Sequence, residues 1–272
     1  VKKEKLLMRF VSKFFPQRFK LAKLTNYPLV GDFLHKLFFE EDEMYYLTKD
    51  TVIEMDRTIE MPDNYVLPSK IVEHFIREAD FHWKMDFCIC RRSNECEDYP
   101  IELGCLFLGE AAEQIDPVLG RPVSEEEALE HLENCREEGL VHLIGRNKLD
   151  PVWLDVGPDE KLMSICSCCP CCCLWKMLPD LRDDIEGNVK RLPGVEVSVN
   201  EDCVGCGGCT EVCFVNAVDM IDGKAVIGEK CRGCGKCIER CSENAIELKI
   251  DDLDYYDKAI GDLERAVEVR KG

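Results

Sequence analysis

The chain has 272 residues, of which 46% are hydrophobic and 33% charged, apolar enough to build one or two packed domains and too apolar for a disordered chain. Its 35 basic and 54 acidic residues leave a formal charge of -19, a balance that repels phosphate backbones and argues against a nucleic-acid partner. Nineteen cysteines approach the density of a disulfide scaffold, but such scaffolds are short and secreted, so the expectation is metal-binding thiols in a reducing cytoplasm.

Charge is uneven along the chain. Residues 1–24 carry eight Lys or Arg and one Glu, a net of +7, which leaves -26 on the other 248 residues. Arg9 and Lys13 break up the apolar residues there and no small-residue cleavage site follows, so the segment does not read as a secretory signal. No apolar run reaches the roughly 18 residues that cross a bilayer. Leu6, Leu7, Phe10, Phe14 and Phe15 recur at helical spacing before Pro16. They predict a basic amphipathic helix, to be laid on an anionic membrane, on a partner, or on the acidic body of its own chain.

Over residues 51–61 the partial alternation of Val52, Ile53, Met55, Ile59 and Met61 predicts a strand, closed by a turn at Pro62, Asp63 and Asn64. Pro68 then opens a helix over 69–81 with Ile71, Val72, Phe75, Ile76 and Ala79 on one face. Ser124 and Glu127 form the signature of a capped helix that runs through Cys135 to Glu138 and stops at Gly139. Cys135 shares its apolar side with Ala128 and Leu132 and reads as core. The polar stretch 180–193 marks a domain boundary, and 251–271 reads as an exposed helix that packs Ile260, Leu263 and Val267 inward. The division is a basic arm (1–40), a cysteine-rich domain (41–190), a compact repeat domain (191–250) and a terminal helix (251–272). The fold class is α+β, with the larger cysteine-rich domain mainly helical.

The repeat carries the chemistry. Cys203, Cys206, Cys209 and Cys213, then Cys231, Cys234, Cys237 and Cys241, each read C-x2-C-x2-C-x3-C, and each copy is followed by Asn-Ala (Asn216, Ala217; Asn244, Ala245). Three thiolates two residues apart in a glycine-rich loop (Gly205, Gly207, Gly208; Gly233, Gly235) can reach three irons of a cubane while the backbone points N–H groups at its sulfides. The fourth cysteine of each run belongs to the other cluster. Cys203, Cys206, Cys209 and Cys241 then form one [4Fe-4S] set, and Cys231, Cys234, Cys237 and Cys213 the other. Structural zinc, the competing reading, ordinarily uses two ligand pairs across a longer loop.

Over residues 195–250 these motifs resemble the bacterial-type two-cluster ferredoxins. The resemblance implies two short hairpins and two short helices around a pair of clusters that pass single electrons. The pattern departs at the residue after each fourth cysteine, where Phe214 and Ser242 replace the usual proline. Glu201, Asp202, Glu211 and Glu229 would push the potentials negative.

Ten further cysteines fall in two groups: Cys88, Cys90, Cys96 and Cys105, then Cys166, Cys168, Cys169, Cys171, Cys172 and Cys173. Unneutralised thiolates this dense are electrostatically costly, so a metal is expected: two more cubanes, or one larger or irregular iron–sulfur site. Pro170 predicts a helix start with Cys169 at its N-cap. Neighbouring side chains point in different directions, so the three consecutive cysteines are not expected all to serve one metal; some face different metals or only hydrogen-bond. His142 and His82 are either ligands or satisfied buried histidines, and Arg91 and Arg92 either neutralise thiolates or pair at the surface. The cysteine-rich half is similar to a group of ferredoxin-like proteins of anaerobes, a resemblance that brings no known reaction.

Three functions compete. The first is an electron carrier or subunit of an oxidoreductase complex, relaying low-potential electrons between redox proteins that are basic at their docking face. The second is a redox enzyme with an unusual substrate-binding cluster upstream; the Cys-Cys-Gly motifs of the heterodisulfide reductases are missing, because Pro170 follows Cys169 and Leu174 follows Cys173. The third is a cluster scaffold or metal-delivery factor. No phosphate loop, flavin or nicotinamide fingerprint, or Ser/His/Asp arrangement is evident. An oligomer or larger complex is expected, since a relay needs neighbours.

Overall fold

The computed structural model describes residues 15–55 and 66–271. Strands β1 (Glu43–Tyr46), β2 (His82–Met85), β3 (Leu106–Leu108), β4 (Gly120–Pro122), β5 (Val141–Arg146), β6 (Met163–Cys168) and β7 (Val189–Arg191) form one seven-stranded sheet. Its order is β4-β2-β3-β6-β5-β1-β7, antiparallel throughout except where β7 runs parallel to β1. The region 41–190, expected to be mainly helical, is therefore organised by a sheet. Its strands are three to six residues long, too short to show a period-two pattern clearly.

The helices are α1 (Arg18–Leu24), α2 (Val30–Phe38), α3 (Asp50–Met55), α4 (Ser69–Glu78), α5 (Ile89–Ser93), α6 (Glu125–Glu137), α7 (Leu149–Leu154), α8 (Asp183–Glu186), α9 (Gly208–Glu211), α10 (Lys236–Arg240) and α11 (Tyr255–Ala266). The capping box on α6 forms as its sequence predicts: Glu127 N–H donates to Ser124 Oγ at 3.1 Å and Ser124 N–H to the Glu127 carboxylate at 3.0 Å. Residues 50–55 are helical, which corrects the strand expected over 51–61; residues 56–61 lie outside the described residues. Asp50, at the first position of α3, accepts from Ser69 N–H at 3.1 Å, so its carboxylate is tied to the start of α4.

Strand alternation splits the sheet into two faces. Tyr45, Ile144, Ile165, Leu106 and Leu108 pack against Ile71, Val72, Phe75 and Ile76 of α4 and against Ala259 and Leu263 of α11. The opposite face carries Tyr46 and Leu143, Cys166 and Cys168, and Phe107. Register pairs Tyr46 with Leu143, and Leu143 with Cys166. Cys105, one residue before the Leu106–Ile165 pair, ends the same row.

The carboxyl-terminal unit is two antiparallel pairs: β8 (Val195–Val199) with β11 (Ile246–Ile250), and β9 (Val218–Ile221) with β10 (Lys224–Ile227). The turn of the second pair has Asp222 at φ 49° and Gly223 at φ 77°, the Asp-Gly chemistry of a tight hairpin. This unit is not separated from the rest by a free linker. Leu192, Val195 and Leu248 are buried in the same cluster as α4 and α11, and β7 and β8 are three residues apart across Leu192, Pro193 and Gly194. Lys49 N–H donates to Cys234 O at 3.2 Å, Thr48 Oγ1 to Gly233 O at 2.9 Å, and Arg232 pairs with the buried Glu186 at 2.8 Å.

Of the amino-terminal arm, residues 1–14 lie outside the described residues. Helix α1 sets Ala22 against Trp175, Leu178 and Leu181 of its own chain. No helix among the described residues is long and apolar enough to cross a membrane.

Candidate metal centres

In the carboxyl-terminal unit, Cys203, Cys206, Cys209 and Cys241 line one cleft. Cys213 and its neighbours lie close enough to push up the thiols of Cys231, Cys234 and Cys237: burial first, then Cys231 and Cys213, hold Cys234 at about 12. Cys237 is raised by burial and by the same neighbours, with Cys209 of the first set also acting on it. A cation would relieve this cost. The repeat explains its own Asn-Ala step. Asn216 and Asn244 adopt φ of 48° and 51°, a region that asparagine tolerates. That turn brings Ala217 N–H to Cys213 Sγ at 3.2 Å and Ala245 N–H to Cys241 Sγ at 3.3 Å. Ala225 N–H and Gly233 N–H donate to Cys203 and Cys231 at 3.5 and 3.4 Å. Thiols aligned with N–H donors are a donor set that fits an anionic iron–sulfur cluster.

The residue that departs from the usual proline has a use of its own. Phe214 is buried, and its ring lies 5.8 Å from that of Tyr46 on β1. The second cysteine set thus abuts the body, with Cys213, Cys231 and Cys234 packed against a cluster that contains Tyr46, Cys168 and Cys173.

Behind Tyr46 the body holds an apolar cavity of about 230 Å³. Cys88, Cys90, Cys105, Cys166, Cys168, Cys169 and Cys173 line it. Cys105 and Cys166 are 3.7 Å apart, and Cys168 and Cys173 3.1 Å. A hydrogen bond from Cys90 holds the Cys88 thiol at about 6, with Arg91 also favouring its thiolate, and the same bond together with burial pushes Cys90 well up. Tyr46 stands between the cavity and the second set: burial raises its hydroxyl well above the ordinary value, with Cys173, Cys168 and Cys234 adding to it. That hydroxyl is fully buried and has no hydrogen-bond partner among the described residues. Nothing in the sequence singles out Tyr46; only the register of β1 places it there.

Cys96, Cys169, Cys171 and Cys172 form a separate group whose sulfurs all lie within 4.8 Å of one another. The cysteine run is thus divided between two places: Cys168 and Cys173 face the cavity, Cys171 and Cys172 meet Cys96 although they are adjacent in sequence, and Cys169 belongs to that group while also lining the cavity wall. Pro170 begins a turn and not the expected helix, and the next helical segment is a 3-10 stretch, Leu174–Asp180. The turn is what folds Cys171 and Cys172 back beside Cys169. Cys135 is fully buried against Cys169 and Cys172, and burial raises its thiol to about 11.

Arg91 is fully buried between the two thiol groups. It donates to Ser167 O at 2.9 Å and to Leu103 O, and Cys88, Cys169 and Cys105 keep it charged against the cost of burial. Arg92 lies over the Phe87 ring at 4.1 Å. His142 is buried beside Ser167 Oγ at 3.3 Å, and burial lowers it to about 3, so it is neutral. His82 Nε2 meets Ile76 O at 2.5 Å. Neither histidine lines the thiol cavity. Comparison with family models, with curated proteins and with solved structures gives no match.

Proposed function

We propose that the chain is an iron–sulfur electron-transfer protein, a polyferredoxin-like subunit that relays low-potential electrons between redox partners. Cys203, Cys206, Cys209 and Cys241 would hold one [4Fe-4S] cluster and Cys231, Cys234, Cys237 and Cys213 a second. The thiol-lined cavity of the body would hold a further, polynuclear one. Such clusters supply one-electron redox chemistry when bound. The protein's share is to hold the sulfurs, aim N–H donors at them, and exclude water from the inner sites. The observation that carries the reading is that the second set packs on one apolar cluster holding Phe214, Tyr46 and the cavity-lining Cys168 and Cys173. A solitary two-cluster carrier has no need of such a contact, whereas a relay leading into a body of more than 150 residues does.

One observation favours an enzyme as the second reading: the cavity has open volume beside its seven thiols, walled by Phe107, Trp153 and Trp175. Anaerobic purification followed by iron and sulfide counts and spin-resonance spectra tests both. The relay predicts more than about eight iron atoms per chain and spectra of interacting low-potential clusters after dithionite. A count near zero would sink it. An inner signal that changes on adding a thiol or disulfide would favour the enzyme.

A further inference from the structure

We infer that Cys96, Cys169, Cys171 and Cys172 hold a single tetrahedral zinc ion that clips two irregular segments of the body together, apart from the iron–sulfur sites. The argument is one of spacing. Four thiolates on one zinc at about 2.3 Å stand about 3.8 Å from each other. The ligands of a cubane stand farther apart, because each binds a different iron. The four sulfurs here lie within 4.8 Å of one another, Cys96 and Cys171 at 3.5 Å. Among the described residues no other group of three or more cysteine, histidine or acidic side chains converges so closely. Elsewhere the close approaches are pairwise: Cys168 meets Cys173 at 3.1 Å and Cys105 meets Cys166 at 3.7 Å, and among the described residues no third sulfur joins either pair within the same span.

Local backbone supports the same reading. Glu95 takes φ 50°, turning the chain so that the N–H groups of Asp98 and Tyr99 meet the Cys96 sulfur. Donors two and three residues beyond a cysteine stabilise its thiolate. Asn94 Nδ2 donates to Cys90 O at 2.7 Å and to Cys172 O at 3.4 Å, so the two ligand-bearing segments are already in contact. Four thiolates around a divalent ion leave a net charge of -2, and the buried Arg91 beside Cys169 offsets half of it. Four sulfurs close the coordination sphere, which makes the ion structural. Cys168 and Cys173 flank the 169–172 turn, and Cys88 and Cys90 precede Cys96, so the clip fixes the segments that deliver these four thiols to the cavity, whose wall Cys169 shares.

The test uses the full chain, purified without oxygen from cells supplied with iron and zinc. Elemental analysis should find about one zinc per chain, and zinc-edge X-ray absorption about four sulfurs at about 2.3 Å with no short metal–metal distance. Cys171→Ser, at an exposed position, and Cys96→Ser should each lower zinc at least tenfold while the carboxyl-terminal iron is retained. Zinc-free wild-type protein, mononuclear or clustered iron at these sulfurs, or a Cys171→Ser variant that keeps its zinc would overturn the assignment. The wild-type spectrum decides even if a variant fails to fold. Because zinc and iron are counted separately, this proposal and the relay can fail independently.

Discussion

A buried hydroxyl without a partner costs about 1–3 kcal/mol, and Tyr46 carries one at the boundary between two sets of thiols. Phenylalanine would fill the same space and keep the ring against Phe214. Its absence from this position calls for something that the hydroxyl does, and the neighbours supply it: a ligating sulfur that bears negative charge accepts a hydrogen bond. A donor to sulfur favours the reduced, more negative state of a cluster. Tyr46→Phe should therefore leave the protein folded, with a stability equal to or slightly above wild type, and move one midpoint potential negative. A net bond of about 1 kcal/mol corresponds to about 40 mV for one electron. Redox titration of the two proteins side by side measures the shift, and identical potentials would show that the hydroxyl faces neither set.

Among the elements, those with an explicit local signal are legible in the sequence. The capping box of α6, the Pro68 start of α4 and the inward face of α11 form where the residues place them. The seven-stranded sheet is not legible, because strands of three residues such as Leu106–Leu108 are buried throughout and show no alternation. Residues 51–55 read as a strand because Thr, Val and Ile favour strands, while the tie between Asp50 and Ser69 and the packing of Val52 against the cysteine loop set a helix. The division of the upstream cysteines into a cavity set and a tight group depends on the 169–172 turn and on strand register, neither of which has a local signature. That packing of α3 is open to test. Gly235 sits at φ 84°, and a Cβ there would meet Val52 Cγ2 at 2.8 Å. Gly235→Ala should cost about 2 kcal/mol, mostly from the left-handed backbone, and lower the occupancy of the second cysteine set. Adding Val52→Ala should recover only the steric part. Full recovery in denaturation curves of the double variant would mean that the backbone carries no penalty.

At the scale of the whole molecule, the carboxyl-terminal unit and the body share one core. Val195 and Leu248 pack with α4 and α11, and α11 follows the unit in sequence yet returns to β1, where Tyr45 Oη donates to Asp262 at 2.5 Å. The chain therefore closes around the unit, and the two parts should unfold together. The sequence provides separate reporters. Its three tryptophans, Trp83, Trp153 and Trp175, all lie in the body, whereas visible absorbance would report the clusters proposed for the carboxyl-terminal unit once the cavity cysteines Cys166 and Cys168 are replaced by serine. In an anaerobic denaturant titration the two signals should share one midpoint. Glu186 sharpens the test, because it is buried on α8 and pairs across the junction with Arg232 at 2.8 Å and Lys230 at 2.6 Å. Glu186→Ala strands a largely buried guanidinium and should cost about 3 kcal/mol, moving both midpoints by the same amount. If tryptophan fluorescence holds while the visible signal shifts, the unit unfolds by itself and the shared core does not couple the two parts.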